Sequence, residues 1–107
     1  MSGSSSPDDD ADVHDALSAM QAAYDDAASA IEAMLDPQRA FERATALREA
    51  ADQLVGEAAN LRARMAERIW KTEEMSLASL ANRIGISKAR ADQLLKTAKE
   101  SRTTKET

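Results

Sequence analysis

From Val13 to Met34 the apolar residues Val13, Leu17, Met20, Tyr24, Ala27, Ile31 and Met34 recur in alternating steps of four and three. That spacing lays one apolar seam along a single α-helix. Asp36-Pro37 closes it, because proline restricts its predecessor and cannot extend the hydrogen-bond ladder. The same pair opens the next helix, with Asp36 as N-cap and Pro37 in the first helical position. A second seam of Ala40, Ala44, Leu47, Ala51, Leu54, Ala58, Leu61, Met65 and Ile69 predicts a long helix from Pro37 to about Thr72. Gly56 lies off that stripe and costs about 1 kcal/mol relative to alanine, so the helix is expected to run through it. A connection this short sets the two helices antiparallel, as a hairpin.

After a link at Thr72–Met75 the elements become short. Ser76 is a natural N-cap, and Met75 with Leu80 is placed to staple the start of a helix around it. Leu77, Leu80, Ala81 and Ile84 form one apolar face, and Gly85 supplies the positive φ that ends the helix cheaply. Ile86 plugs the turn, Ser87 caps a further helix, and Ala91, Leu94 and Leu95 give that helix its buried face. The small Ala81, four residues before the glycine, lets the two short helices cross closely.

The segment Ser76–Leu95, SLASLANRIGISKARADQLL, resembles the helix-turn-helix of DNA-binding regulators, of the small bacterial sigma-like or phage-type readers. The resemblance covers about twenty residues, or about forty if Arg62–Lys71 acts as the bracing helix. One position departs from the pattern: Ala91 stands where the second helix usually carries valine or isoleucine. The resemblance implies a recognition helix in the major groove, presenting Lys88, Ala89, Arg90, Asp92, Gln93, Lys96 and Thr97 outward. Arginine can grip guanine with two hydrogen bonds, glutamine can pair with adenine, and lysine neutralises phosphate. The implied DNA-binding residues are Arg83, Ser87, Lys88, Ala89, Arg90, Gln93, Lys96 and Thr97. Arg90 is the expected base reader; Lys96 and Arg83 are the expected phosphate contacts. Asp92 would repel phosphate unless it were tied to Lys88 or Lys96 one turn away.

Composition and charge sharpen this picture. With 107 residues, the chain has room for one small domain and an appendage, and 43% hydrophobic but only 3% aromatic residues point to an aliphatic, alanine-rich helical core. The fold class expected is all-α: an N-terminal antiparallel, coiled-coil-like hairpin followed by a C-terminal helix-turn-helix trihelical unit. The boundaries read as an acidic disordered tail over 1–11, a dimerising hairpin over 12–61, the DNA-binding unit over 62–100 and a flexible tail over 101–107. The net charge of −5 is unevenly spread. Residues 1–36 hold nine acids and no lysine or arginine, whereas residues 76–107 hold seven bases against three acids. Such asymmetry suits a local nucleic-acid face joined to an acidic module. Leu35, Phe41, Val55 and Ile69 lie partly off the seams, and a lone hairpin has too little core to stand alone. Pairing two hairpins in a four-helix bundle answers both, so a symmetric homodimer is expected.

Other chemistry finds little support. With no cysteine there is no disulfide, thiolate or zinc-finger option. His14 is the only histidine and lacks a second imidazole for a metal site. Asp25-Asp26 and Glu73-Glu74 are adjacent acids that point to different sides of a helix and form no carboxylate dyad. Trp70, beside Ile69, reads as core of the trihelical unit. Phosphate loops and nucleophile elbows are absent from the sequence, so no enzymatic activity, cofactor or metal is expected. No apolar run reaches membrane-span length and the N-terminus is acidic, which argues against a spanning helix or signal peptide. The expected setting is cytoplasmic and nucleoid-associated, in a bacterium of high-GC genome. The partners expected are double-stranded DNA and a second copy of the chain, with a protein partner possible through the hairpin. The competing reading is a coiled-coil adaptor whose acidic hairpin binds a protein partner.

Overall fold

The computed structural model describes residues 7–106, with side chains from 8 to 102. Among the described residues the protein is all-α, with four helices and no strand: α1 (Pro7–Glu32), α2 (Pro37–Thr72), α3 (Leu77–Ile84) and α4 (Lys88–Glu106). No helix is long and apolar enough to cross a membrane, and no cluster of His, Cys, Asp or Glu could hold a metal ion, among the described residues. The chain divides into two compact units between Ala50 and Ala51, inside α2. This division falls before position 62, where the sequence had placed the start of the second unit.

In the first unit, α1 begins at Pro7 and so includes Pro7–Ala11, which the sequence assigned to a disordered tail. Proline is well suited to a first helical turn, and Asp8, Asp9 and Asp10 complement the positive end of the helix dipole. The part of that expected tail at 1–6 lies outside the described residues. α1 stops at Glu32, short of Asp36-Pro37; Ala33–Asp36 form the connection. Asp36 then caps α2 as expected, its Oδ1 accepting from the Gln38 N–H at 3.0 Å and the Arg39 N–H at 3.4 Å. α2 runs unbroken from Pro37 to Thr72, through Gly56. At the turn end of this unit Ala27, Ile31, Met34 and Leu47 line a shallow groove with Arg43. Val13, Leu17, Met20 and Tyr24 nevertheless stay more than half exposed, and Leu35 is 98% exposed.

The second unit holds all of the buried side chains among the described residues. Leu80, Ala81 and Ala91 form its centre, and Ile69, Trp70, Met75, Leu77, Ile84, Ile86 and Leu95 pack against them. The buried face of α2 here is Ala63 and Ala66, not the expected seam, whose Leu61 and Met65 remain 49% and 36% exposed. Ala63, Ala66 and Ala98 are buried in this unit, and two polar links join α2 to α4: Arg64 donates to Ser101 Oγ at 2.7 Å, and Arg102 pairs with Glu67. α4 stays helical through 101–106, where the sequence places a flexible tail, and these contacts anchor its Ser101 and Arg102; Thr107 lies outside the described residues.

Two turns of the same design shape this unit. At the end of α3, Gly85 adopts φ 75°, its N–H donates to the Asn82 carbonyl at 3.3 Å, and the Ile86 N–H donates to the Ala81 carbonyl at 3.0 Å. This is the Schellman pattern, which satisfies carbonyls that the helix end would otherwise strand. At the end of α2, Glu74 takes the equivalent place with φ 48°, and the Met75 N–H donates to the Trp70 carbonyl at 3.4 Å. A left-handed conformation costs a side-chain-bearing residue about 1–2 kcal/mol, offset in part by the greater unfolded freedom of glycine. Glu74→Gly is therefore expected to stabilise the unit by about 0.5–1 kcal/mol, read as a higher urea midpoint at unchanged slope.

Candidate nucleic-acid interface

The turn between α3 and α4 is set by three local devices. Ser76 Oγ accepts from the Ser79 N–H at 3.1 Å and caps α3. Gly85 ends α3, and Ser87 Oγ accepts from the Arg90 N–H at 3.1 Å to cap α4. The Ser87 hydroxyl, a sequence-derived contact residue, is thus engaged in holding the helix start. Ala91 faces the core at 0% exposure, which turns Ala89, Gln93, Lys96 and Glu100 to the opposite side of α4 by helical geometry.

The expected contact residues fall into groups. Arg90, Gln93 and Thr97 lie on one flank of α4, around a groove of about 340 Å³ that also includes Arg62 of α2. Arg90 and Gln93 are exposed; Thr97 is half-buried, so it lines this groove and does not face outward as expected. Among the described residues the Arg90 guanidinium makes no ion pair. Lys88 and Ala89 are exposed at the helix start.

On the other flank Lys96 Nζ lies 3.1 Å from Asp92 Oδ2, the pairing one turn away that the sequence required for Asp92 to be tolerated beside phosphate. An exposed pair of this kind is weak and easily exchanged. Arg83 stands apart from α4. Its guanidinium donates to the Glu73 carboxylate at 2.6 Å, across the turn between α2 and α3. That hydrogen bond holds the Glu73 carboxyl below its ordinary value. The contact is therefore intact at neutral pH and is lost as pH falls through the lowered value, when protonated Glu73 releases Arg83.

The sequence marks Arg62 only as part of a bracing helix. Its place beside Arg90 depends on how α2 meets α4, and no spacing along the chain encodes that. The Glu67–Arg102 pair, 35 residues apart in sequence, was hidden for the same reason. Comparison with protein-family models, curated proteins and solved structures finds no match to this chain.

Proposed function

We propose that this protein is a sequence-specific DNA-binding regulator that acts as a homodimer, with α3 and α4 as a helix-turn-helix and α4 as the helix that enters the major groove. The observation that carries the reading is the pairing of a capped α3–Gly85–α4 turn with an exposed Arg90, which makes no ion pair among the described residues, beside Gln93. A recognition helix must be held firmly from behind while its outer side chains stay unsatisfied until bases arrive. Leu80, Ala81 and Ala91 supply the first condition, and Arg90 and Gln93 meet the second. In this reading α1 and the first part of α2 form the antiparallel hairpin that dimerises. The acidic α1 keeps away from phosphate. The residues support an operator-binding role without favouring repression or activation.

Selection of binding sites from random DNA tests the proposal, followed by affinity measurements on variants. Arg90→Ala should cost about 1–3 kcal/mol and relax preference at one base pair, while Lys96→Ala should weaken all sequences alike and flatten the salt dependence. Uniform weakening by both variants would sink the division of roles. Failure to enrich any sequence would sink specific recognition.

Arg83 gives a separate check. If it is a phosphate contact, it must leave Glu73 to act. Glu73→Gln removes the competing carboxylate, so DNA affinity should rise a few-fold at low salt, with the gain fading as salt is added. An unchanged affinity would remove Arg83 from the interface.

A further inference from the structure

A second cavity in the Ala51–Thr107 unit has a different chemistry. It measures about 360 Å³ and has an apolar floor of Trp70, Leu77 and Leu95, contributed by α2, α3 and α4 in turn. All three side chains are only half-buried although they pack against the Leu80 core, so each presents an apolar surface to the opening. Four cations ring that floor, Lys71, Lys96, Lys99 and Arg102, against two carboxylates.

The charges around the rim are unevenly committed. Glu67, whose side chain is 12% exposed, pairs closely with Arg102 and has only a loose partner in Lys71 at 3.8 Å. The Lys71 side chain is 60% exposed and can swing without breaking a buried contact. Lys96, 66% exposed, is held by Asp92 alone among the ion pairs described above. Lys99 has a partner of its own, yet Lys71, Lys96 and Arg102 still outnumber Glu67 and Asp92. An arriving anion would therefore find one positive charge in excess and two lysines able to turn toward it at little cost. The floor offers no polar group to orient a sugar or a peptide backbone, while the indole of Trp70 offers a broad apolar surface.

We propose that this cavity is a binding site for a small amphipathic anion, a flat apolar body of one or two rings carrying a single carboxylate. The rings lie on Trp70 between Leu77 and Leu95, and the carboxylate is met by Lys71 and Lys96. The site lies apart from the Arg90 groove, shares only Lys96 with the proposed phosphate contacts, and does not depend on the nucleic-acid reading.

The test uses the full chain and the indole N–H resonance of Trp70, which is unambiguous because the sequence contains one tryptophan. The probes are 2-naphthoate, its neutral analogue 2-naphthamide, and acetate, which carries the charge without the rings. 2-Naphthoate should shift the Trp70 resonance saturably, with a dissociation constant on the order of 1 mM or tighter for a ligand of this size. 2-Naphthamide and acetate should bind markedly more weakly. Lys71→Glu should weaken 2-naphthoate roughly fivefold, and Lys71→Ala by less, with helicity by circular dichroism unchanged in both because the side chain is exposed. A non-saturating shift, equal binding of the amide, or indifference to both Lys71 substitutions would each overturn the site.

Discussion

Leu80→Ala is expected to destabilise the second unit by about 2–5 kcal/mol, the range for truncating a fully buried leucine. Among the described residues Leu80 is the largest side chain with no exposure, and the residues packed around it come from α2, the turn after it, α3 and α4. Its two buried cluster partners, Ala81 and Ala91, have no side chain long enough to fill the space that truncation leaves. A unit of ~60 residues has a total stability of about 3–9 kcal/mol, which means one methyl-rich side chain decides whether α3 and α4 stay docked. Trp70 packs on the same cluster and reports the loss directly: its fluorescence should follow a urea transition whose midpoint falls steeply in Leu80→Ala. Leu61→Ala is the control. Leu61 is 49% exposed, so the same chemical change should cost the isolated chain far less. Equal effects from the two substitutions would mean that the Leu80 cluster is not the core.

The helices and their caps were largely legible in the sequence, and the packing between them was not. Asp36, Ser76, Gly85 and Ser87 each act within three or four residues of themselves, and each caps or ends a helix as its chemistry dictates, although α1 stops four residues before Asp36. The ends of α1 and α4 went astray for contrasting reasons. Aspartate-rich Pro7–Ala11 has almost nothing to bury, yet proline and acids are also what a helix start favours. Ser101–Glu106 is polar throughout, yet Arg64 and Glu67 reach it from α2. Glu74 gave no sign of its role, because its left-handed turn is imposed by the packing of Met75 and Trp70, and glutamate is not a residue that marks such a turn. Alanine was the least readable residue of all. It is exposed at 58, in the expected seam, but forms the buried face of α2 at 63 and 66 and the core of α4 at 91 and 98, with only tertiary context to tell these apart. Ile69 shows the same effect. Counted with Leu35, Phe41 and Val55 as apolar surface in need of a partner, it proves to be half-buried against Leu80, while the other three remain exposed.

Charge placed in the seam is expected to dissolve the proposed dimer. Val13, Leu17, Met20 and Tyr24 of the first unit, and Leu54 and Leu61 of the second, are each about half exposed, and the first unit buries no described side chain fully. Covering the exposed half of such residues is worth about 1 kcal/mol each. Two copies together gain roughly 12 kcal/mol gross from six residues apiece, against an association cost of about 4–15 kcal/mol. The balance suits a dimer of moderate affinity, and it leaves little margin. Leu54→Asp with Leu61→Asp removes apolar area and would bury carboxylates without partners, and two-fold symmetry applies each change twice. The dimer dissociation constant should therefore rise at least ~100-fold. Sedimentation at micromolar concentration measures it, and a stable monomer in the unmodified protein would defeat the idea outright. The DNA consequence is separable. Two identical recognition helices call for two copies of one half-site, with centres ~34–36 Å apart on one face of the duplex, or a whole multiple of that distance. The double substitution should abolish binding to such paired sites while leaving the weak affinity of a single α4 for one half-site, because Arg90 and Gln93 are untouched. If the unmodified dimer selected only single half-sites, dimerisation would stand and the two-headed operator would not.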